Sequence, residues 1–169
     1  MISRLSYLST RSRLIACLTL WAGLSLSVRC QNLVPNPSFE TFTSCPLTMG
    51  IGGPLQATPW VAIGSADYFH VCGGFLIGVP FNFLGYQDAR TGVAYAGIFH
   101  KINGGMPEQR EYLQAPLLEA LEPGVCYEVG YWINLGDSGC GVNQTGALFT
   151  QGPEPNPFEM IPQVDAGGP

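Results

Sequence analysis

Side-chain catalysis needs a nucleophile or a proton-transfer group held beside a partner. The chain has two histidines, His70 and His100, and neither stands in a metal spacing such as HxxxH. Ser44 and Ser65 lack the context of a nucleophile elbow. Ser138 sits in Gly136-Asp137-Ser138-Gly139-Cys140 and so carries the GDSG tetrad of a protease nucleophile. That enzyme class draws its histidine and aspartate from a longer chain, and here the segment reads as a glycine-rich hairpin loop. Asp67, Asp88 and Asp137 are loop acids. They would serve a glycosidase only if two of them stood roughly 5 or 9 Å apart, which the spacing does not impose. The expectation is a protein that is not an enzyme, with a glycoside-hydrolase fragment as the remaining catalytic alternative.

Binding chemistry is better represented. Trp60, Tyr68, Phe69, Phe81, Phe83 and Tyr86 fall in a loop-rich half, with Asp67, Asn82, Gln87, Asp88 and Arg90 among them. A pyranose packs its C–H face on a flat aromatic ring while polar side chains meet its hydroxyls. The expected carbohydrate contacts are therefore Trp60, Asp67, Tyr68, Tyr86, Gln87 and Asp88, with core packing as the competing reading for each ring. Trp132 could be a platform or the filler of a second sheet. Tyr131, next to it, belongs to an apolar face and to the core.

These residues must be positioned by strands. Val125–Leu135 alternates Val125, Tyr127, Val129, Tyr131, Ile133 and Leu135 with Cys126, Glu128, Gly130, Trp132 and Asn134, a period of two with one apolar face. Pro123-Gly124 is the turn before it. Asn32–Val34 and Ser38–Phe42 are expected as strands flanking Pro35-Asn36-Pro37. Further strands are expected at Val93–His100, Gln109–Ala115 and Val142–Thr150, the last pairing with the long strand across Gly136–Gly141. Pro116–Leu121 is the best helical candidate. Residues 44–86 read mostly as loop, and 152–169, with five prolines, as loop or linker. Short strands without crossover helices predict an all-β fold, an antiparallel β-sandwich.

Composition agrees. Charged residues are 11% of the 169, while 22 Gly and 14 Pro supply turns, as in extracellular β proteins. Arg4, Arg11 and Arg13 precede the apolar run Leu14–Val28, which is shorter than the roughly 20 residues of a membrane span. Residues 1–30 are expected to be a signal peptide cleaved before Gln31. Lipidation at Cys30 is the rival, and Arg29 suits it poorly. Export to the extracellular space or outer-membrane surface follows, with no transmembrane span in the mature chain. Beyond residue 30 three basic residues (Arg90, Lys101, Arg110) face twelve acids, a net charge of −9 that disfavours nucleic acid. Four cysteines remain there, none in a CxxC pair. Cys45 and Cys72 bracket the long first loop and are expected to pair. Cys140 lies beyond the far end of the strand that begins at Cys126, about 30 Å away along an extended chain. A disulfide needs about 5.5 Å, so Cys126 is expected as a buried thiol.

Four segments in order, Asn32–Glu40 (NLVPNPSFE), Pro59–Cys72, Gly78–Ile98 and Leu118–Leu135, resemble galactose-binding-like, carbohydrate-binding-module jelly rolls at the N-termini of Bacteroidetes surface and secreted proteins. The resemblance covers most of residues 32–150. It implies a jelly roll over 31–151 that binds glycan or a surface protein beside other domains of a longer chain. It also implies a structural Ca²⁺ held partly by Glu40, the acid after Phe39. The family's closing strands have no counterpart in 152–169, so the jelly roll is expected to be incomplete at the C-terminus. A structural or adhesion spacer without a small ligand is the alternative.

Overall fold

The NPSFE segment builds a folded loop where two strands were expected. In the computed structural model, which describes residues 2–8, 31–50, 53–99, 111–137, 145–153 and 164–166, Asn36 and Phe39 have φ of 43° and 62°. Asparagine tolerates this left-handed region better than most residues, because its short amide can bond nearby backbone. The Asn36 amide does so across the fold. Its Nδ2 donates to the Thr41 and Thr58 carbonyls, both at 2.8 Å, and its Oδ1 accepts the Thr41 N–H at 3.0 Å. The Asn36 carbonyl accepts the Trp60 indole N–H at 3.0 Å. These local bonds compete with a sheet ladder and win.

The elements are β1 Ile2–Leu8, β2 Gly53–Pro54, β3 Val61–Ile63, β4 Asp67–His70, β5 Phe81–Asn82, β6 Gly85–Tyr86, β7 Ala94–Gly97, β8 Tyr112–Gln114, β9 Cys126–Trp132, β10 Thr145–Ala147 and β11 Val164–Ala166. Every pairing is antiparallel: β2-β3-β8, β4-β7, β5-β6, β1-β9 and β10-β11. No helix occurs among the described residues, so Pro116–Leu121 is not helical. The Leu118 N–H donates to the Leu33 carbonyl at 2.9 Å. β1 lies inside the expected leader and pairs with β9 from Ile2↔Trp132 to Leu8↔Cys126. Residues 9–30 lie outside the described set.

Residues 44–86, read as mostly loop, carry β2 to β6 and much of the core. Phe39, Leu55, Ala57, Trp60, Ala62, Ala66, Tyr68, Ala94 and Ala96 pack as one buried cluster. β4 is buried at all four positions. Adjacent strand residues face opposite ways, and both faces are covered. Tyr68 joins the Phe39 cluster and donates its hydroxyl to the Phe39 carbonyl at 2.9 Å. Phe69 stacks on Tyr95 and Phe83, with ring centres 4.9 and 6.1 Å away. A strand covered on both sides shows no alternation in its sequence. In the proline-rich tail, Val164–Ala166 forms a strand against Thr145–Ala147 where loop was expected.

Cys45 and Cys72 are disulfide-bonded, closing a separation of 27 residues. The lost loop entropy of the unfolded chain makes this link worth about 3–4 kcal/mol. Cys126 carries a free, exposed thiol. The expected burial fails because Cys126 shares its strand face with the exposed Glu128 and Trp132.

Asn36→Ala removes three hydrogen bonds and puts alanine at positive φ. It is expected to lower unfolding stability by about 2–3 kcal/mol, read as an earlier midpoint in urea denaturation.

Candidate functional site

Three exposed aromatics, Phe81, Tyr86 and Trp132, lie where the β5–β6 hairpin meets the chain leaving β9. Phe81 and Tyr86 are a cross-strand pair. Their rings meet edge to face, with centres 4.7 Å apart and planes at 77°, and they are 65% and 50% exposed. The hairpin turns through Gly85 at φ 121°, and a Cβ there would fall on the Asp137 carboxylate. Glycine is therefore required for two reasons, the backbone angle and the close approach.

The residues after β9 lock this hairpin. Asp137 Oδ2 accepts the Tyr86 N–H at 3.0 Å, and the Asp137 N–H donates to the Leu84 carbonyl at 2.9 Å. Asn134 Nδ2 donates to Gln87 Oε1. The Gln87 N–H donates to the Pro80 carbonyl at 2.8 Å, and Gln87 Nε2 to the Asp88 carbonyl at 2.6 Å. Tyr86 Oη donates to Asp88 Oδ2 at 3.4 Å. Trp132, 55% exposed, lies under the Arg90 guanidinium, whose carbon is 4.4 Å from the ring centre.

Of the six expected carbohydrate contacts, the structure brings Tyr86, Gln87 and Asp88 together on this rim. It places Trp60, Tyr68 and Asp67 in the interior, at 8%, 2% and 4% exposure, where a sugar cannot reach their faces. The core reading holds for Trp60 and Tyr68. Trp132 turns out to be exposed, as the alternation of β9 allowed. Asn134 was not expected at the rim. Only its place on the Trp132 side of the alternating strand hinted at it.

Glu40 is hydrogen-bonded to the start of β7. Its Oε1 accepts the N–H groups of Val93 and Ala94, at 2.9 and 3.1 Å. A Cβ on Gly92, at φ 66°, would collide with the same carboxylate. Ca²⁺ takes six to eight oxygens. Among the described residues no group of three or more His, Cys, Asp or Glu could hold a metal ion. Through these bonds Glu40 braces the NPSFE loop against β7. His70 is buried, with Nδ1 accepting the Cys72 N–H at 3.0 Å and its ring 4.3 Å from that of Phe42. His100, Ser138 and Cys140 lie outside the described residues.

Two carboxylates are buried beside the core with no ion-pair partner among the described residues. Glu111 accepts the Ser65 hydroxyl and, at 2.7 Å, the Phe99 N–H. Asp67 accepts the Gly50 N–H. Burial pushes the Asp67 carboxyl up from 3.8 to about 6, against the lowering effect of the Gly50 amide, and the Glu111 charge adds to the rise.

No family model, no curated protein and no solved structure matches the chain. Among the described residues no helix is long and apolar enough to cross a membrane.

Asp67 binds its proton more tightly in the folded protein than in the unfolded chain. The penalty for its charge is full above pH 6 and fades as pH falls from about 6 towards 4. Melting temperature is expected to rise on acidification from pH 7.5 to 5. Asp67→Asn is expected to flatten that rise, which thermal unfolding across the range checks.

Proposed function

We propose that this protein is a non-catalytic, extracellular glycan-binding module whose contact surface is the rim of Phe81, Tyr86 and Trp132 with Gln87, Asp88 and Asn134. The observation that carries the reading is the exposure of three aromatic rings beside side-chain amides already fixed by hydrogen bonds. Isolated exposed apolar residues are ordinary. Here two of the rings pair at a hairpin tied to the β9 exit through Leu84, Tyr86 and Gln87. Held rings lose little entropy on binding, so a weak C–H···ring contact can count towards affinity. The side-chain amides of Gln87 and Asn134 and the Asp88 carboxylate offer donors and acceptors to sugar hydroxyls.

The all-β antiparallel architecture and the Cys45–Cys72 bond agree with an exported β-sandwich of the galactose-binding-like kind. That finer assignment rests on the order of the four sequence segments. It brings with it a place beside other domains of a surface protein. A structural Ca²⁺ is a secondary part of the proposal. Glu40 Oε2, which accepts no hydrogen bond among the described residues, is the atom left to contribute to one.

On a glycan array carrying neutral and acidic oligosaccharides, the protein is expected to bind a restricted set. Phe81→Ala, Tyr86→Ala and Trp132→Ala should each weaken that binding tenfold or more. Because these rings are exposed, circular dichroism and melting temperature should stay close to the parent's. A folded protein that binds no glycan would favour a structural spacer.

A further inference from the structure

Cations are scarce in this protein. Beyond residue 30 it has Arg90, Lys101 and Arg110 against twelve acids. One of the three, Arg90, is on the aromatic rim and exposed. It makes no ion pair or hydrogen bond among the described residues; its contact there is the Trp132 ring at 4.4 Å.

A guanidinium carries five N–H donors, so one ring contact leaves donors available for a planar anion. A free arginine usually spends entropy on being held. Here much of that ordering is done in advance. Just before Arg90, Gln87 is tied to Pro80 and Asn134. Just after it, Thr91 Oγ1 donates to Ser38 Oγ at 3.0 Å, and Val93 and Ala94 are held by Glu40. The short span 88–90 is thus clamped on both sides, with its guanidinium carbon over an exposed indole.

We infer that Arg90 is the specificity-determining residue of this rim, and that it selects glycans bearing an anionic group, a carboxylate or a sulfate, received in two hydrogen bonds by its guanidinium. The inference rests on the glycan-binding reading above. Asp88, two residues away, opposes an anion by charge, and its Oδ2 accepts the Tyr86 hydroxyl. The acidic remainder of the protein opposes an anion as well. The attraction is therefore local and depends on the arginine itself, which makes the preference sensitive to the loss of one side chain.

The test compares a galacturonate oligosaccharide, a sulfated galactan oligosaccharide and a neutral galactan oligosaccharide of the same length by titration calorimetry. The parent should bind at least one anionic ligand tenfold or more tightly than the neutral one. Whichever of the two anionic arms is tighter names the source of the charge. Arg90→Gln should bring the anionic affinity to within about twofold of the neutral one, through a fall in the anionic arm larger than any change in the neutral arm. Arg90→Lys, which keeps the charge and loses the fork, should recover only a minor part. A merely structural arginine would weaken all three ligands together, and that result overturns the inference. So does a parent that binds neutral and anionic ligands alike while Tyr86→Ala still abolishes binding; in that case the glycan reading stands. Binding to none of the three, nor to any glycan on the array, overturns both.

Discussion

The described body depends on one brace, the turn from Asn36 to Glu40. Within five residues it holds three distant parts of the chain. The Asn36 amide donates to the Thr58 carbonyl, the Phe39 carbonyl accepts the Tyr68 hydroxyl, and the Glu40 carboxylate accepts the Val93 and Ala94 N–H groups. Between these polar ties the Phe39 ring is buried, 5.0 Å from that of Trp60. Two residues at positive φ make the turn tight enough for all of this. Their backbone strain is balanced by satisfied hydrogen bonds and by the burial of one large ring.

The brace also determines what is left over for function. It draws Trp60 and Tyr68 inwards, where each spends its polar atom on a backbone carbonyl. It fixes the start of β7 through Glu40, and so the loop that carries Asp88 and Arg90. The hairpin β5–β6 is then held from the other side by Asn134 and Asp137. An interior filled by aromatic rings and an outer rim of exposed ones are two products of the same arrangement. Which ring went where was decided by hydrogen bonds that lie far apart in sequence.

That explains how the sequence could be read. β9 was legible because its two faces differ. Alternation put Cys126, Glu128 and Trp132 together, and all three are exposed. The expectation of a buried Cys126 followed from its distance from Cys140 and did not use its place on the Glu128 and Trp132 face. β7, β8 and β10 appeared within the expected segments, each shorter than expected. β4 escaped notice because a strand covered on both faces has no polar–apolar rhythm, and β3 because three residues are too few to show one. The Asn32–Glu40 segment misled because its composition suits strands around a turn, while the side-chain bonds of Asn36 and Glu40 reach residues 22 and 53 positions away. In the candidate site, Tyr86, Gln87 and Asp88 were legible as a cluster in sequence. Their meeting with Asn134 and Asp137, across about 50 residues, was not.

The central claim is that ligand contact belongs to the rim and not to the buried rings. Indole N–H signals in a proton–nitrogen correlation spectrum separate the two directly, with Trp132→Phe assigning one of them. During titration with galactan and galacturonate oligosaccharides, the Trp132 signal should shift to saturation while that of Trp60, bonded to the Asn36 carbonyl, stays in place. A saturating shift of Trp60 with Trp132 unmoved would contradict the account.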